Sequence, residues 1–370
     1  MVIFSFFSGV GMLDLGFEEA GYNIVLINEF NQDFMNSYIY ARRNRISQPP
    51  RFGYHVGDIN MFLQEQQRDY LHRSINTLRS EGETIVFIGG PPCPDFSIGG
   101  LNRGRDGANG RLARSYIDMI LEFRPDIFLF ENVKGLVKTK RHREYFDELK
   151  GLLQNNNYCL SEALLNALSY GVAQDRDRIL LLGVERQSAL ANENMHCSIS
   201  FEFPWNLNLP YNANEVKLLP WPDTTLFREN SRRIFRYDVP AELTVEYWFR
   251  KNNVNHHPNR NDIFNVKSGL QKMLEISEGD TSRKSFKRLH RWRFSPTAAY
   301  GNNEVHLHPY RIRRLSVAET MAIQSLPQWF ELPAGVTLSR KFKMVGNGVP
   351  FLMANTIARQ IRQYFGEDLK

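Results

Sequence analysis

Cysteine is scarce in this chain of 370 residues, which contains only Cys93, Cys159 and Cys197. Three cysteines cannot build a disulfide framework, and no C-x-x-C pair indicates a zinc site. We therefore expect no metal centre. A lone cysteine is more often an inert, small apolar residue than a reactive thiol, and we expect this of Cys159 and Cys197.

Long apolar runs are missing as well. No stretch approaches the roughly 20 residues that a bilayer-spanning helix needs. The apolar start, MVIFSFF, lacks a basic lead and does not resemble a secretion signal. Internal repeats and low-complexity tracts are also lacking. We expect a cytoplasmic protein without membrane contact, long enough for two or three domains with a sizeable core.

Positive charge is unevenly distributed along the chain. The net charge is +6, yet residues 1–40 contain no lysine or arginine. Residues 228–314 are rich in both: Arg232, Arg233, Arg283, Lys284, Lys287, Arg288, Arg291, Arg293, Arg311, Arg313 and Arg314. A single cluster of this kind is usually a solvated face. All of them within one segment favour a nucleic-acid partner.

The first half alternates short apolar runs with helical patterns, which predicts a doubly wound α/β domain. Predicted strands cover 2–7, 24–28, 52–56, 84–88, 126–130, 158–167 and 178–184, and predicted helices cover 13–20, 112–123, 143–154, 317–324 and 351–365. Between about 185 and 310 this rhythm stops. There we predict a second, smaller and irregular domain, and we expect the closing helix to pack back on the first.

Three features at successive strand ends predict a nucleotide-type cofactor site. The turn Ser8-Gly9-Val10-Gly11 follows the first strand, Glu29 ends the second, and Asp58 ends the third. Each alone is weak, because glycine turns often bind nothing, Asp58 suits a helix N-cap and Glu29 suits a solvated loop. Together they are informative, because open sheets bind ligands at their strand ends. Asp14 replaces the third glycine of G-x-G-x-x-G, which disfavours a dinucleotide.

The fourth predicted strand leads into Gly89-Gly90-Pro91-Pro92-Cys93-Pro94. Packing does not require prolines on both sides of a cysteine, so we expect Cys93 to be a positioned nucleophile at the sheet edge. Glu131 ends the next strand, where a carboxyl group suits a general acid. In 174–178, Gln174, Arg176 and Arg178 alternate with strand period; the alternative is a polar edge strand with local Asp–Arg pairing.

At this point the chain resembles the cytosine-C5 DNA methyltransferases, over nearly its whole length. Six motifs stand in the family's order: 7–11 with 15–17, 90–93, 131–133, 174–178, 314–316 with Glu319, Gln324 and Pro327, and 346–350. Two departures occur. Pro94 stands where the family usually has glutamine, which removes a backbone donor, and Gly348 stands where alanine is common.

The resemblance implies a chemistry for these residues. Cys93 would add to C6 of cytosine as a thiolate, so that C5 attacks a sulfonium methyl group. Glu131 would hold or protonate N3, Arg178 would contact O2, and Arg176 would support the loop around Cys93. A base inside a duplex is out of reach and must be flipped out. The glycine- and arginine-rich loop 99–107 is predicted to act as a lid, although a plain surface loop is the alternative.

The resemblance also implies the cofactor and the partners. S-adenosylmethionine would be the cofactor, bound by Phe7, Ser8, Gly9, Gly11, Leu13, Glu29, Asp58, Ile59, Pro91, Asn347 and Val349. A Rossmann-like methyltransferase domain would comprise 1–184 plus 335–370, and a target-recognition domain 185–334. We expect double-stranded DNA as substrate, a bacterial restriction–modification setting with a functionally cognate restriction endonuclease, association with the nucleoid, and a monomer.

Three alternatives remain open from the sequence. The same chemistry on tRNA is the nearest, and the long basic region argues against it. A catalytically silent DNA-binding regulator is disfavoured because Cys93, Glu131, Arg176 and Arg178 are all present. An NAD-dependent Rossmann enzyme is disfavoured by the interrupted glycine motif and by the Pro-Pro-Cys loop.

Overall fold

A computed structural model describes residues 1–45, 48–92, 108–192, 195–196, 198–265, 269–283, 285–297, 300 and 305–366. Its centre is a sheet of seven strands in the order β3-β2-β1-β4-β5-β8-β6. These strands are β1 (Val2–Phe6), β2 (Asn23–Glu29), β3 (Tyr54–Val56), β4 (Ile85–Gly89), β5 (Ile127–Val133), β6 (Tyr158–Asn166) and β8 (Asp177–Glu185). All neighbours are parallel except β8, which runs antiparallel to both β5 and β6.

The central strands are mostly apolar and almost entirely buried, since both faces of the sheet are covered. Every residue of β1 and β4 is buried, as expected of parallel strands between two helical layers. One layer contains α3 (Glu65–Ser80), α4 (Ala108–Phe123) and α6 (Lys140–Asn155), and the other α1 (Met12–Glu19), α2 (Gln32–Arg42) and α12 (Phe351–Tyr364). The predicted doubly wound α/β class is confirmed.

The remaining elements are short. They are the helices α5 (Gly135–Lys138), α7 (Ala213–Leu218), α8 (Val245–Lys251), α9 (Leu270–Leu274), α10 (Val317–Ile323) and α11 (Leu338–Asn347), and the strands β7 (Gln174–Asp175), β9 (Lys287–Arg288), β10 (Ser295–Pro296) and β11 (His306–Leu307). The predicted strands and helices are found within a few residues of their expected bounds. The longer helices α2, α3 and α11 are additions that the sequence pattern did not predict, as are the short helices α5, α7, α8 and α9.

In the region from about 185 to 310, the described residues form only short helices and two-residue strands, and they are not detached from the sheet. Phe203 and Trp205 pack into the same core as Met353 of α12. Trp248 of α8 shares another core with Leu15 of α1. The boundaries 185 and 334 of a separate recognition domain stay a prediction.

Part of the basic cluster is internal, which corrects the simple interpretation of its charge. Arg288 is fully buried and donates to the carbonyl oxygens of Ile276 and Met273 at 2.8 and 2.6 Å. Arg291 is buried in an ion pair with Glu278 at 2.7 Å. These arginines hold loops together, so they cannot count towards a nucleic-acid surface.

The closing helix α12 packs on α1, as expected. A Cβ atom at Gly16 would lie 2.4 Å from the Cβ of Ala354 and 2.6 Å from the backbone nitrogen of Asn355. The Nδ2 of Asn355 donates to the Gly16 carbonyl oxygen at 2.9 Å. The two helices therefore touch backbone to backbone, and only glycine permits this distance.

Two further expectations concern absences. Within the described ranges, no helix is long and apolar enough to cross a membrane. No group of three or more His, Cys, Asp or Glu side chains in that part of the chain is arranged to hold a metal ion.

We expect Gly16→Ala to lower the free energy of unfolding by about 1–3 kcal/mol, because the added methyl group meets backbone that cannot move aside. Gly151→Ala is the matched control: it lies within α6 with open space around its Cβ position, and it should raise stability by about 0.5–1 kcal/mol. Thermal unfolding of both variants tests this. Equal melting temperatures would contradict the packing argument.

Candidate active site

The candidate site lies at the edge of the sheet where the parallel strands end. Phe6 of β1 is level with Gly89 of β4, and Gly89 with Phe130 of β5. The antiparallel strand β8 begins at the same edge, where Arg178 faces Val133. Residues after β1, β2, β4 and β5 are therefore brought together although they are far apart in sequence, as is usual for ligand sites of open α/β sheets.

The glycine turn after β1 is held in a tight, left-handed conformation. Phe7, Gly9 and Gly11 have φ values of 54°, 59° and 74°. The backbone N–H of Gly9 donates to the Oε2 of Glu29 at 2.9 Å. The predicted turn and the predicted acidic residue are thus in direct contact.

Glu29 is nearly buried at the end of β2. Its Oε1 accepts from the backbone N–H of Asn31 at 2.9 Å. Burial raises the pKa of Glu29, and the N–H donors of Asn31 and Gly9 partly offset that increase. The alternative of a solvated loop residue does not hold for Glu29.

The buried side chain of Arg42 holds the backbone of the glycine turn in place. The guanidinium of Arg42 donates to the carbonyl oxygens of Val10 and Gly11 at 3.1 and 2.7 Å and pairs with Glu18 at 2.9 Å. A Cβ atom at Gly11 would lie 2.3 Å from the Tyr38 ring. The turn is therefore fixed by α2, an element that the sequence pattern had not revealed.

Asp14, which replaces the third glycine of a dinucleotide motif, points into the interior. Its Oδ1 accepts from the Ser5 hydroxyl at 2.8 Å. Burial raises the pKa of Asp14 to about 6, against the opposing effect of the nearby Arg42. In the structure Asp14 is therefore a buried residue that binds Ser5 of β1.

Asp58 caps a 3₁₀ turn, Ile59–Leu63, by accepting from the backbone N–H of Asn60 at 2.8 Å. This is the capping role that the sequence allowed for it. Ile59 is buried, whereas Leu13 is half-buried. No described contact joins Asp58 to the turn, so its cofactor role stays a prediction.

Glu131 and Arg178 form a buried ion pair of 2.7 Å between Oε1 and Nε. Glu131 faces Leu180 across the antiparallel pair, and Arg178 lies two residues away on the same face of β8. Burial raises the pKa of Glu131, and Arg178 opposes that increase. The carboxyl group therefore takes up a proton more readily than an exposed glutamate.

The same strand end holds the backbone that leads to the cysteine. The Nδ2 of Asn132 donates to the Pro91 carbonyl oxygen at 3.3 Å. A Cβ atom at Gly90 would lie 2.7 Å from the Oε2 of Glu131, so glycine is needed for this approach. Cys93, Pro94 and the predicted lid 99–107 lie outside the described residues.

Arg176 is fully buried and contacts a distant segment. Its Nη2 donates to the carbonyl oxygens of Gly346 and Gly348 at 2.8 and 3.0 Å. This fixes the end of α11. Gly348 lies there against Met12 at the start of α1, between exposed Asn347 and buried Val349. Support of the loop around Cys93 by Arg176 stays a prediction.

The departure at Gly348 has a structural reason. A Cβ atom there would lie 2.1 Å from the Sδ of buried Met12. Met12 thus fills the space that the methyl group of an alanine would occupy.

The polar strand around 174–178 does not pair as the simple alternative predicted. Asp177 pairs with Lys134 at 2.7 Å, and Asp175 with Lys217 at 2.8 Å. The aspartates therefore bind lysines, which leaves Arg178 paired with Glu131.

Sequence reasoning missed two residues at this edge. Arg42 supports the turn, and Phe30 follows Glu29 with 70% of its surface exposed. Phe30 is an aromatic residue that directly follows Glu29 at the end of β2, and this position would have marked it as a candidate site residue. Nothing in the pattern pointed to Arg42.

Known proteins are similar to this chain over nearly its whole length. The C-5 cytosine-specific DNA methylase family matches residues 1–363. The Type II methyltransferase M.NmeDI of Neisseria meningitidis serogroup C is 47% identical over 98% of this chain and 84% of its own length. The Type II methyltransferase M.FnuDI of Fusobacterium nucleatum is 30% identical over 98% of this chain and 94% of its own.

Solved structures share the fold at lower identity. A DNA modification methyltransferase encoded within an E. coli prophage has a TM-score of 0.63 and 21% identity, covering 98% of this chain and 99% of that one. The S. pombe Dnmt2 methyltransferase has a TM-score of 0.58 and 12% identity, with both chains fully covered.

We expect Asp14→Asn to change the pH dependence of stability. The folded-state pKa of Asp14, about 6, exceeds its ordinary value of 3.8. The folded state therefore binds the proton more tightly, and the wild-type chain loses stability as pH rises from about 4 to 6. The variant has no such titration, so the wild type should lose roughly 3 kcal/mol relative to it over this range. Denaturant unfolding at several pH values checks this; parallel pH profiles would contradict it.

Proposed function

Because the chain belongs to the C-5 cytosine-specific DNA methylases, we propose a complete reaction for it. As a DNA cytosine-5 methyltransferase of the restriction–modification type, it would transfer a methyl group from S-adenosylmethionine to C5 of a flipped-out cytosine. The site would lie within a specific duplex sequence, and the reaction would pass through a covalent bond between Cys93 and C6.

The observation that carries this proposal is the buried pair of Glu131 and Arg178 beside the Gly90-Pro91 backbone. Cys93 follows Pro91 by two residues in the sequence, and the proposed reaction needs its thiol to act on the same base as Glu131. A nucleophile, a proton-holding carboxyl and a cation around one space are the groups that cytosine activation needs.

Each residue would act on a defined atom of the base. The Cys93 thiolate adds to C6, and Glu131 holds the proton at N3 so that the ring stays neutral. Arg178 donates to O2 while it keeps Glu131 oriented. After C5 has gained the methyl group, water removes the C5 proton, and the bond from C6 to Cys93 breaks to release the thiolate.

The residues at the end of β1 and β2 fit the cofactor. S-adenosylmethionine supplies, when bound, an electrophilic methyl group on a sulfonium sulfur. Glu29 would accept from the ribose hydroxyls, and the space beside Gly9, where a Cβ atom would meet nothing within 4 Å, leaves the turn open to a ligand. We assign Phe7, Ser8, Gly9, Gly11, Leu13, Asp58, Ile59, Pro91, Asn347 and Val349 to the same site.

Phe30 completes this cofactor site. Its exposed ring stands next to the ribose-binding Glu29, so it would offer a face for the adenine to stack on. Exposure of a large aromatic side chain costs free energy unless a ligand covers it, which supports this assignment.

The setting follows from the substrate. The enzyme would flip one base from the duplex at a cost of a few kcal/mol. It would act as a monomer on bacterial DNA in the cytoplasm and protect sites that a cognate restriction endonuclease cleaves. Residues 185–334 would select the sequence.

We expect labelled methyl transfer from S-adenosylmethionine to unmethylated genomic DNA, mapped to one sequence by bisulfite sequencing. Cys93→Ala should abolish turnover but keep cofactor and duplex affinity, because it removes only the attacking group.

A mapped duplex carrying 5-fluorocytosine should trap the wild-type chain covalently, because fluorine cannot leave as a proton does. Label on tRNA alone would move the substrate to RNA, and turnover by Cys93→Ala would exclude the covalent step.

Phe30→Ala should weaken the affinity for S-adenosylmethionine by about 5- to 100-fold, as expected for the loss of stacking between a base and an aromatic ring. Leu218→Ala is the control, since Leu218 is 85% exposed and lies in α7, which contributes no residue to the assigned cofactor site. Calorimetric titration measures both. Equal affinities of the two variants would remove Phe30 from the site.

A further inference from the structure

A cleft of about 1280 Å³ opens beside the candidate active site. One wall contains Lys134 and Asp177, the chain neighbours of Val133 and Arg178 at the catalytic edge. The opposite wall contains Asn212, Lys217, Asp238 and Pro240 from the irregular region. The cleft therefore lies between the strands of the candidate site and the irregular region, which are joined at one point by the ion pair of Asp175 and Lys217.

Residues 228–238, which we call the arginine strip, lead to the rim of this cleft at Asp238. From Ser231 to Asp238 the exposed and half-buried side chains alternate, which is the period of an extended chain. Within the described residues, the segment 232–237 belongs to no sheet and its backbone has no ladder hydrogen bonds. One face of the strip is thus left to solvent.

The inner face anchors the strip firmly. Phe235 packs edge-on against Trp292 with ring centroids 5.2 Å apart. Arg233 donates to the Thr225 hydroxyl at 2.7 Å. At the start of the strip, Arg291 donates to the Ser231 carbonyl oxygen at 2.6 Å, and Glu278 in turn holds Arg291. Arg233 and Arg291 therefore fix the backbone that carries the exposed Arg232 and Arg236.

The outer face presents Arg232, Ile234 and Arg236 to solvent, with Ile234 72% exposed. Arg228 is exposed as well, and the acidic Glu229 and Asp238 lie near the two ends of the strip. The strip carries four arginines against two acids, so its net charge is positive. An apolar tip between two cations is suited to a polyanion that also offers apolar groups.

We propose that the outer face of the arginine strip contacts duplex DNA beside the rim of the cleft and helps to select the target sequence. Arg232 and Arg236 bind phosphates or guanine edges, which arginine does bidentately. Ile234 packs against a base edge such as the methyl group of thymine. This inference rests on the proposed function, since it needs a duplex substrate.

Duplex DNA fits the strip better than a second copy of the chain. A second copy of the chain would bring the same positive strip to a two-fold contact, where like charges repel. A duplex instead supplies phosphates at regular spacing and releases counterions on neutralisation.

The test uses the full chain with Arg232→Ala, Arg236→Ala and Ile234→Ala made singly. Matched controls are Arg73→Ala, an exposed arginine of α3, and Ile199→Ala, an isoleucine that is 55% exposed. Wild-type transfer first maps the target sequence. Fluorescence anisotropy then measures binding to a duplex of that sequence and to a scrambled duplex of equal composition, at several salt concentrations.

Each arginine variant should lose roughly 5- to 20-fold in duplex affinity, and its salt slope should fall by about one unit. Ile234→Ala should keep the salt slope and the affinity for the scrambled duplex, but lower discrimination between the two duplexes by roughly 5- to 10-fold. Cofactor affinity and melting temperature should stay unchanged in all three.

The inference would be overturned if the strip variants matched the controls in duplex affinity, salt slope and mapped sequence. In that case methyl transfer by the wild-type chain would still support the proposed function. A change in oligomeric state with unchanged duplex affinity would also overturn it, because the strip would then bind a second copy. Failure of the wild-type chain to methylate any duplex would overturn the proposed function and this inference with it.

Discussion

The buried ion pair between Glu131 and Arg178 is the constraint on which the rest of the site depends. Two charges out of water are stable only when they stay paired, and removal of one partner leaves the other uncompensated at a cost of about 3–5 kcal/mol. The pair requires β8 to run antiparallel to β5 in one register. It also requires glycine at position 90, because the carboxyl group lies where a side chain would begin.

The cofactor end of the sheet uses a second buried arginine in a similar way. Arg42 binds the outward-turned carbonyl groups of Val10 and Gly11 and is neutralised by Glu18. The turn can therefore keep its left-handed glycines in one conformation without a ligand. Such preorganisation lowers the cost of binding, because less ordering remains to be done when the cofactor arrives.

The described arginines of residues 228–314 and of the candidate site differ in role, and amino-acid composition does not distinguish these roles. Arg176 and Arg288 are fully buried and bind backbone carbonyl oxygens. Arg178 and Arg291 are buried in ion pairs with glutamates. Arg232 and Arg236 remain exposed. The density of basic residues in 228–314 thus overstated the charge available to a nucleic acid, and the exposed subset is the part that matters.

The residue pattern was enough to predict the fold class and the strand ends at which the candidate site residues stand. Strand ends can be predicted from neighbouring residues, because an apolar run of strand length stops there. This is how the positions of Gly11, Glu29, Gly90 and Glu131 were found. Which charged side chains pair with each other depends on the tertiary structure. Arg178 pairs with Glu131 rather than a nearby aspartate, and Arg42 supports the turn from 31 residues away, because these contacts depend on strand register and helix packing. Long-range contacts of this kind leave no periodic signal in one sequence.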